Sequence, residues 1–163
     1  MFRSDSVLYK FIILVFCCSF SSCSQKPKVV WEHYAPQKLA EAKTLKMPVV
    51  IDFYADWCIS CHELERYTYA DPEVIQALSG FKRLQVDLTT QRNKDAMDFA
   101  ERFNIEGLPT VVFLDAEGNE IKESRIEGFV RPKEFLKVVR SLFNPKAVPK
   151  MEDVKSDGKS VKI

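Results

Sequence analysis

The chain has 163 residues, which is enough for one domain of ordinary size with short appendages. Hydrophobic residues make up 46% of it, so a buried core is possible, and the formal net charge of +1 gives no sign of a nucleic-acid partner. Its five cysteines fall into two regions, because Cys17, Cys18 and Cys23 lie near the N-terminus whereas Cys58 and Cys61 form a C-x-x-C pair.

Residues 1–22 have the pattern of an export signal. A positively charged start precedes an apolar run from Phe11 to Phe20, and this run is shorter than the roughly 20 residues of a membrane-spanning helix. Small residues then lead to Cys23, as in bacterial lipoprotein signals, although Phe20 replaces the usual aliphatic residue. The sequence favours lipidation of Cys23. The alternatives are an ordinary signal cut near Ser22 and an uncleaved anchor that extends back to Val7.

Lipidation of Cys23 would leave Cys58 and Cys61 as the free cysteines of the mature chain, since Cys17 and Cys18 lie in the signal. An exported protein meets an oxidising compartment, where structural disulfides are common. One pair this closely spaced can constrain little of a fold. The pattern therefore indicates a pair that takes part in redox chemistry.

The remaining chain divides into a polar tether at 23–30, a domain at 31–143 and a Lys- and Pro-rich tail at 144–163 that is predicted to be disordered. Periodicity and turn residues predict the elements of the domain in this order: a short strand or lead-in at 31–34, a helix at 36–47, a strand at 48–55, helices at 58–70 and 71–78, a strand at 81–89, a helix at 91–105, a strand at 109–115, a turn at 116–119, a strand at 120–129 and a helix at 131–143. Asp71 is predicted to cap its helix, with Pro72 in the first turn.

The C-x-x-C pair follows an apolar strand directly, at the point where a helix begins. A βαβ unit, then a ββα unit, with such a pair at the end of a central strand, is the arrangement of thioredoxin. The sequence therefore predicts an α/β protein with the thioredoxin fold, a central mixed β-sheet flanked by helices in the order βαβαβαββα.

The stretch VVIDFYADWCISCHELERYTYADPEV, residues 49–74, is similar to the C-terminal thioredoxin-like domain of DsbD, a bacterial inner-membrane protein that carries reducing power to the periplasm. A second stretch, IEGLPTVVFLDAEG at 105–118, matches the Gly-Leu-Pro-Thr strand of that family. The resemblance covers about residues 31–143. Two departures leave the direction of electron transfer open: the transmembrane segments that supply that domain with electrons are lacking, and His62 stands where a lysine is usual.

The position of each cysteine predicts its role. Cys58 begins the helix, where the helix dipole and free N–H groups stabilise a thiolate, so we expect it to be the more exposed cysteine and the attacking nucleophile. Cys61, one turn later, would resolve the mixed disulfide. The alternative is a structural disulfide without catalytic function.

Two carboxylates are candidates for proton transfer and for tuning the cysteine pKa values. Asp52 lies inside the apolar strand, where burial should raise its pKa, and the resemblance implies that it lies under Cys61 and helps to move its proton. Glu65 lies one turn past Cys61, and the resemblance implies that it acts together with Asp52. The alternatives are a strand-end aspartate turned to solvent and an exposed helix glutamate.

The resemblance also implies a substrate-binding surface. It would place Pro109 in a cis peptide bond facing the cysteines, and the backbone at Leu108, Pro109 and Thr110 would pair with substrate as an added strand. Trp57 would shield the pair and form part of the docking surface, the alternative being a core tryptophan.

The sequence Cys58-Ile-Ser-Cys61-His62 also fits the C-x-x-C-H pattern of covalent haem attachment. That reading needs His62 as an iron ligand and a distal ligand, for which the candidates are His33, Met47, Met97 and Met151. Zinc bound by Cys58, Cys61, His62 and His33 is disfavoured because a second closely spaced pair is lacking. We expect neither metal nor cofactor, and His62 as an exposed residue that biases the thiolate.

The sequence thus predicts an exported thiol:disulfide oxidoreductase that reduces protein disulfides through Cys58 and Cys61. We expect it to be monomeric, anchored by lipid on Cys23 at the periplasmic side of a bacterial membrane, and supplied with electrons by a membrane protein. A net oxidase or isomerase, and a non-catalytic binding module of the same fold, are the alternatives.

Overall fold

A five-stranded sheet forms the centre of the computed structural model, which describes residues 27–90 and 92–143. Its strands are β1 (Glu32–His33), β2 (Val49–Tyr54), β3 (Lys82–Asp87), β4 (Thr110–Leu114) and β5 (Ile126–Glu127). The predictions for residues 1–22, for Cys23 and for residues 144–163 lie outside the described residues.

The strand order is β1-β3-β2-β4-β5, with β2 at the centre. β3 runs parallel to β1 and β2, whereas β4 runs antiparallel to β2 and β5. In this register Asp52 lies between Gln85 of β3 and Val111 of β4. The predicted mixed sheet is confirmed.

Five α-helices flank the sheet in the described chain: α1 (Pro36–Thr44), α2 (Ile59–Glu63), α3 (Pro72–Ala77), α4 (Lys94–Arg102) and α5 (Pro132–Leu142). α2 continues directly into a π-helical segment, Leu64–Thr68. The predicted cap of α3 is confirmed, because the Asp71 carboxylate accepts hydrogen bonds from the N–H groups of Glu73 and Val74.

The core has two layers, one on each face of the sheet. The first contains Val50, Val111 and Phe113 together with side chains of α3, α5 and the π-helical segment. The second contains Val49, Ile51 and Phe53 together with side chains of α1 and α4. Because strand residues alternate between faces, Asp52 and Tyr54 share the face of Val50, on the side of the π-helical segment.

The strand predicted at 120–129 is wrong over its middle part. Glu120 makes one isolated bridge to Leu114, a short 3₁₀ turn follows at Lys122–Ser124, and only β5 returns to the sheet. Tertiary contacts hold this departure in place: Arg125 donates from Nη2 to the carbonyl oxygen of Phe103 at 2.8 Å. Alternating residue types do not reveal a contact of this kind.

Candidate active site

The two cysteines lie just beyond the C-terminal end of β2. Cys58 caps the N-terminus of α2 and forms a disulfide with Cys61, with the two Cα atoms 5.3 Å apart. The N–H of Cys61 donates to Sγ of Cys58 at 3.1 Å, and the same donor would stabilise a thiolate on Cys58 after reduction. The expected difference in exposure is not found in this disulfide form, because Cys58 is 6% exposed and Cys61 is 8% exposed.

The loop before β4 packs against the disulfide. Leu108 contacts the cluster of Cys58 and Cys61, and the Leu108–Pro109 peptide bond is cis. The carbonyl oxygen of Pro109 accepts a hydrogen bond from the N–H of Gly128 at 2.8 Å. Thr110 is 2% exposed and its hydroxyl donates to the carbonyl oxygen of Gly107, so its side chain fixes the loop from inside.

Two large apolar side chains flank Cys58 at the surface. Trp57 is 66% exposed and Ile59 is 77% exposed, so Trp57 does not belong to the core. The N–H of Asp56 donates to Oγ1 of Thr89 at 2.9 Å, and the indole N–H of Trp57 reaches the carbonyl oxygen of Thr89 at 3.4 Å. The Trp57 loop is therefore held against the segment that follows β3.

Asp52 is a buried carboxylate on the sheet face below the π-helical segment. Tyr69 donates its hydroxyl to Oδ1 at 3.1 Å, and Gln85 donates its amide to Oδ2 at 2.9 Å. Burial raises the pKa of Asp52 to about 6, against the opposing effect of these two bonds, and the negative charge of Glu65 adds to the rise. A solvent-facing Asp52 is thereby excluded.

The helical segment that carries Cys61 also carries the residue that binds the Asp52 carboxylate. Cys61 lies in α2, Glu65 follows one turn later in the π-helical segment, and Tyr69 closes that segment. Since Tyr69 bonds to Asp52, the helical segment that carries Cys61 passes over the sheet face that carries Asp52. Glu65 is partly exposed and pairs with the ammonium group of Lys28 at 2.7 Å.

His62 makes a contact that the sequence did not predict. Its Nε2 lies 2.7 Å from the carbonyl oxygen of Asp56, and this nitrogen must carry the proton because a carbonyl oxygen only accepts. His62 therefore fastens the start of α2 to the loop before Trp57. No cluster of three or more His, Cys, Asp or Glu side chains that could hold a metal ion occurs within residues 27–90 and 92–143.

Sequence reasoning identified Asp52 but not its partners Tyr69 and Gln85. They lie 17 and 33 positions further along the chain, and neither residue type signals a carboxylate partner. Only the parallel register of β2 and β3 brings Gln85 opposite Asp52. Lys28 was missed as well, because its segment was predicted to be part of the tether.

This geometry supports thiol–disulfide exchange. A Cys pair at the N-terminus of a helix, close to a buried carboxyl group, can form and break its disulfide reversibly. The class is that of thioredoxin-fold oxidoreductases. A family profile described as a thioredoxin-like domain matches residues 35–143, and the chain belongs to this family. No helix of the described residues is both long enough and apolar enough to span a membrane.

Comparison with related sequences identifies the thioredoxin-fold proteins to which this chain is similar. The chain is 42% identical over 108 residues to the thiol:disulfide interchange protein DsbD of Vibrio vulnificus, covering 66% of this chain and 18% of the relative. It is 48% identical over 92 residues to DsbD of Cronobacter sakazakii, covering 56% of this chain and 16% of the relative. The chain thus spans less than a fifth of the length of these relatives.

Solved structures agree with the sequence comparison. The oxidised C-terminal domain of Neisseria meningitidis DsbD superposes with a TM-score of 0.58 at 29% identity, covering 69% of this chain and 98% of that domain. A thioredoxin from Thermus thermophilus gives a TM-score of 0.60 at 28% identity, covering 72% of this chain and 89% of that one. The predicted fold and family are confirmed: the chain contains a DsbD-like thiol:disulfide interchange domain.

Proposed function

We propose that this protein is an exported, membrane-tethered oxidoreductase that reduces protein disulfides with Cys58 and Cys61. The observation that carries the proposal is the Cys58–Cys61 disulfide at the start of α2, with a backbone N–H directed at Sγ of Cys58. The reducing direction rests on the resemblance to DsbD. Membrane attachment through lipid on Cys23, the tether at 23–30 and the tail at 144–163 are parts of the same proposal.

The proposed reaction passes two electrons from the reduced pair to a substrate disulfide. The Cys58 thiolate attacks one sulfur of the substrate, forming a mixed disulfide and releasing the first substrate thiolate. Cys61 then gives up its proton, with Asp52 as the acceptor, and attacks Sγ of Cys58. This step forms the Cys58–Cys61 disulfide and releases the second substrate thiolate, and Asp52 passes its proton to that thiolate or to water. A membrane electron-donor protein would reduce the pair again, without a bound cofactor.

The proposed docking surface consists of the exposed side chains of Trp57 and Ile59 together with the loop at Leu108 and Pro109. Extended substrate would pair with the backbone of this loop, as in other complexes formed by strand addition. Thr110 would contribute through its backbone and its bond to Gly107, because its side chain is buried.

Insulin reduction and mixed-disulfide trapping test the catalytic part. Cys58→Ser should abolish insulin reduction, and full retention of activity would instead identify a non-catalytic binding module. Cys61→Ser should accumulate mixed disulfides in cells, which identify substrates and the electron donor. The double variant Cys58→Ser, Cys61→Ser is the matched control and should trap none.

The reduction potential tests the direction. A value near that of thioredoxin, about −270 mV, supports the reductase, and a value near that of DsbA, about −120 mV, would overturn it in favour of an oxidase. Lipidation is tested separately by labelling cells with a fatty-acid analogue, since Cys23→Ser should lose both the label and membrane attachment.

A further inference from the structure

Residues 28–31, here called the N-terminal strap, are fixed to the domain beside the proposed proton acceptor. The N–H of Val29 donates to the carbonyl oxygen of Tyr69 at 2.9 Å, and the Val29 side chain is only 4% exposed. Nε of Arg83 donates to the carbonyl oxygen of Val30 at 3.1 Å. The strap is therefore part of the folded domain, although residues 28–30 were predicted to belong to the tether.

The strap contacts the surroundings of Asp52 in two ways. Trp31 packs edge-on against the ring of Tyr69, with the ring centroids 4.9 Å apart, and Tyr69 holds Asp52 through its hydroxyl. Lys28 pairs with Glu65 at 2.7 Å, and Glu65 is the charged group whose field acts on Asp52. A positive charge on the strap therefore stands next to the negative charge that acts on Asp52.

Few other groups that titrate or carry charge face Asp52. Tyr54 shares its sheet face and Tyr69 lies above it, and burial raises the pKa of both phenols, to about 12 for Tyr54 and well above 10 for Tyr69. Gln85 on β3 is neutral, and Val111 on β4 is apolar. Among these groups, Glu65 is therefore the one whose charge acts on Asp52, and Lys28 is the ion-pair partner of Glu65.

We infer that Lys28 is a positioning residue for disulfide exchange: its ammonium group holds and partly neutralises the Glu65 carboxylate, and so sets how readily Asp52 accepts a proton from Cys61. This inference rests on the proposed function of Asp52. Both partners of the ion pair are exposed, Lys28 to 62% and Glu65 to 45%, so the effect is modest and is screened by salt.

The titration of Asp52 tests the inference, followed by carboxyl carbon NMR on the oxidised full chain at low ionic strength. In Lys28→Gln the Glu65 charge loses its partner, so the midpoint of Asp52 should rise by about 0.3 unit, a twofold change in the ionisation equilibrium. Glu65→Gln should lower the midpoint of Asp52, whereas Lys28→Arg should keep the wild-type midpoint because the positive charge is retained. About 1 M salt should abolish the effect of Lys28→Gln.

A double-variant cycle separates this role from a structural one. Lys28→Gln combined with Glu65→Gln should titrate like Glu65→Gln alone, because Lys28 acts through Glu65. Lys94→Gln breaks another exposed ion pair, with Asp98 on α4, and should leave Asp52 unchanged. An unchanged midpoint in Lys28→Gln, or a shift that persists in the Glu65→Gln background, would overturn the inference.

The kinetic readout is the step in which Cys61 resolves a mixed disulfide. Its pH–rate profile should move to higher pH in Lys28→Gln by the same amount as the Asp52 titration. A titration shift without this kinetic shift would overturn the role of Lys28 in exchange. Failure of the proposed function would be seen differently, as retention of insulin reduction in Cys58→Ser.

Discussion

The hydroxyl group of Tyr69 donates a hydrogen bond to Oδ1 of Asp52, and both residues are almost completely buried. A donor of this kind favours the carboxylate over the neutral acid. It therefore counteracts burial, which raises the pKa of Asp52 to about 6. Burial raises the pKa of Tyr69, and the charge and hydrogen bond of Asp52 add to the rise, so the phenol stays protonated and remains a donor throughout the working pH range.

Tyr69→Phe should raise the pKa of Asp52 further above its value of about 6, because one of two donors to the carboxylate is lost. Carboxyl carbon NMR of the oxidised protein measures the change. Tyr67→Phe is the matched control, since Tyr67 lies in the same π-helical segment with an exposed side chain. A lowered or unchanged pKa of Asp52 in Tyr69→Phe would contradict this account.

The raised pKa of Asp52 also makes a prediction about stability. Between about pH 4 and pH 6 the folded state binds a proton at Asp52 that the unfolded chain has released, so the contribution of Asp52 to stability falls as pH rises. Asp52→Asn removes the decrease in stability with rising pH, because asparagine does not ionise. The variant should exceed wild type by about 3 kcal/mol in the free energy of unfolding at pH 8, and the gain should vanish below about pH 4.

Urea unfolding of the oxidised proteins at several pH values measures this difference. Asn can be accommodated because the Gln85 amide can flip and the Tyr69 hydroxyl can accept as well as donate. Asp98→Asn, at an exposed position on α4, is the control for the carboxylate-to-amide change and should show no gain of this size. A gain that is equal at pH 4 and pH 8 would show that burial of the charge is not its cause.

The fold could be predicted because local signals agree with one another. The apolar run of β2 requires burial on both faces, and Asp71 with Pro72 marks the start of α3. Where the predicted strand at 120–129 is wrong, a contact between residues that are distant in sequence determines the backbone conformation. The chain between Glu120 and Ile126 leaves the sheet, held in place by the contact of Arg125 with Phe103, 22 positions earlier.

The candidate site shows the same division. Asp52 could be identified because it lies within the apolar strand β2, and Cys58 because it follows that strand at the start of a helix. Tyr69 and Lys28 could not, because their contacts depend on where the π-helical segment and the strap lie over the sheet. That His62 acts on the thiolate by its charge stays a prediction, and the structure adds a hydrogen bond from His62 to the Asp56 carbonyl oxygen.

His62→Ala should loosen the loop that presents Trp57, since it removes the bond to Asp56 but leaves the bonds of the loop to Thr89. One hydrogen bond contributes about 1 kcal/mol, so we expect KM for a protein disulfide to rise up to about 5-fold. The reaction of Cys58 with a small aromatic disulfide should change little, because that substrate does not need the docking surface.

Stopped-flow kinetics with both substrates, and the fluorescence anisotropy of Trp57 in a Trp31→Phe background, measure these effects. His33→Ala is the matched control, because His33 is exposed on β1 at the other side of β3 from β2. Equal slowing with both substrates would show that His62 acts on the thiolate itself and not on the loop.

Two Arg–Glu pairs that differ in burial give a final prediction. Arg125 bonds to Glu120 at 2.7 Å and to the Phe103 carbonyl oxygen at 2.8 Å, and the Arg125 and Glu120 side chains are only 20% and 11% exposed. Arg140 bonds to Glu73 at 2.9 Å, but these side chains are 68% and 69% exposed. The distances are nearly equal, so burial should decide the contributions.

Arg125→Ala should lower the free energy of unfolding by about 3 kcal/mol, because it leaves the Glu120 carboxylate and the Phe103 carbonyl group largely shielded from water without their partner. Arg140→Ala should cost about 0.5 kcal/mol or less, and this small loss should disappear in about 1 M salt. Urea unfolding at low and high salt measures both variants. Similar losses in the two variants would mean that water reaches Glu120 once the guanidinium is gone, so that the pair contributes no more than one at the surface.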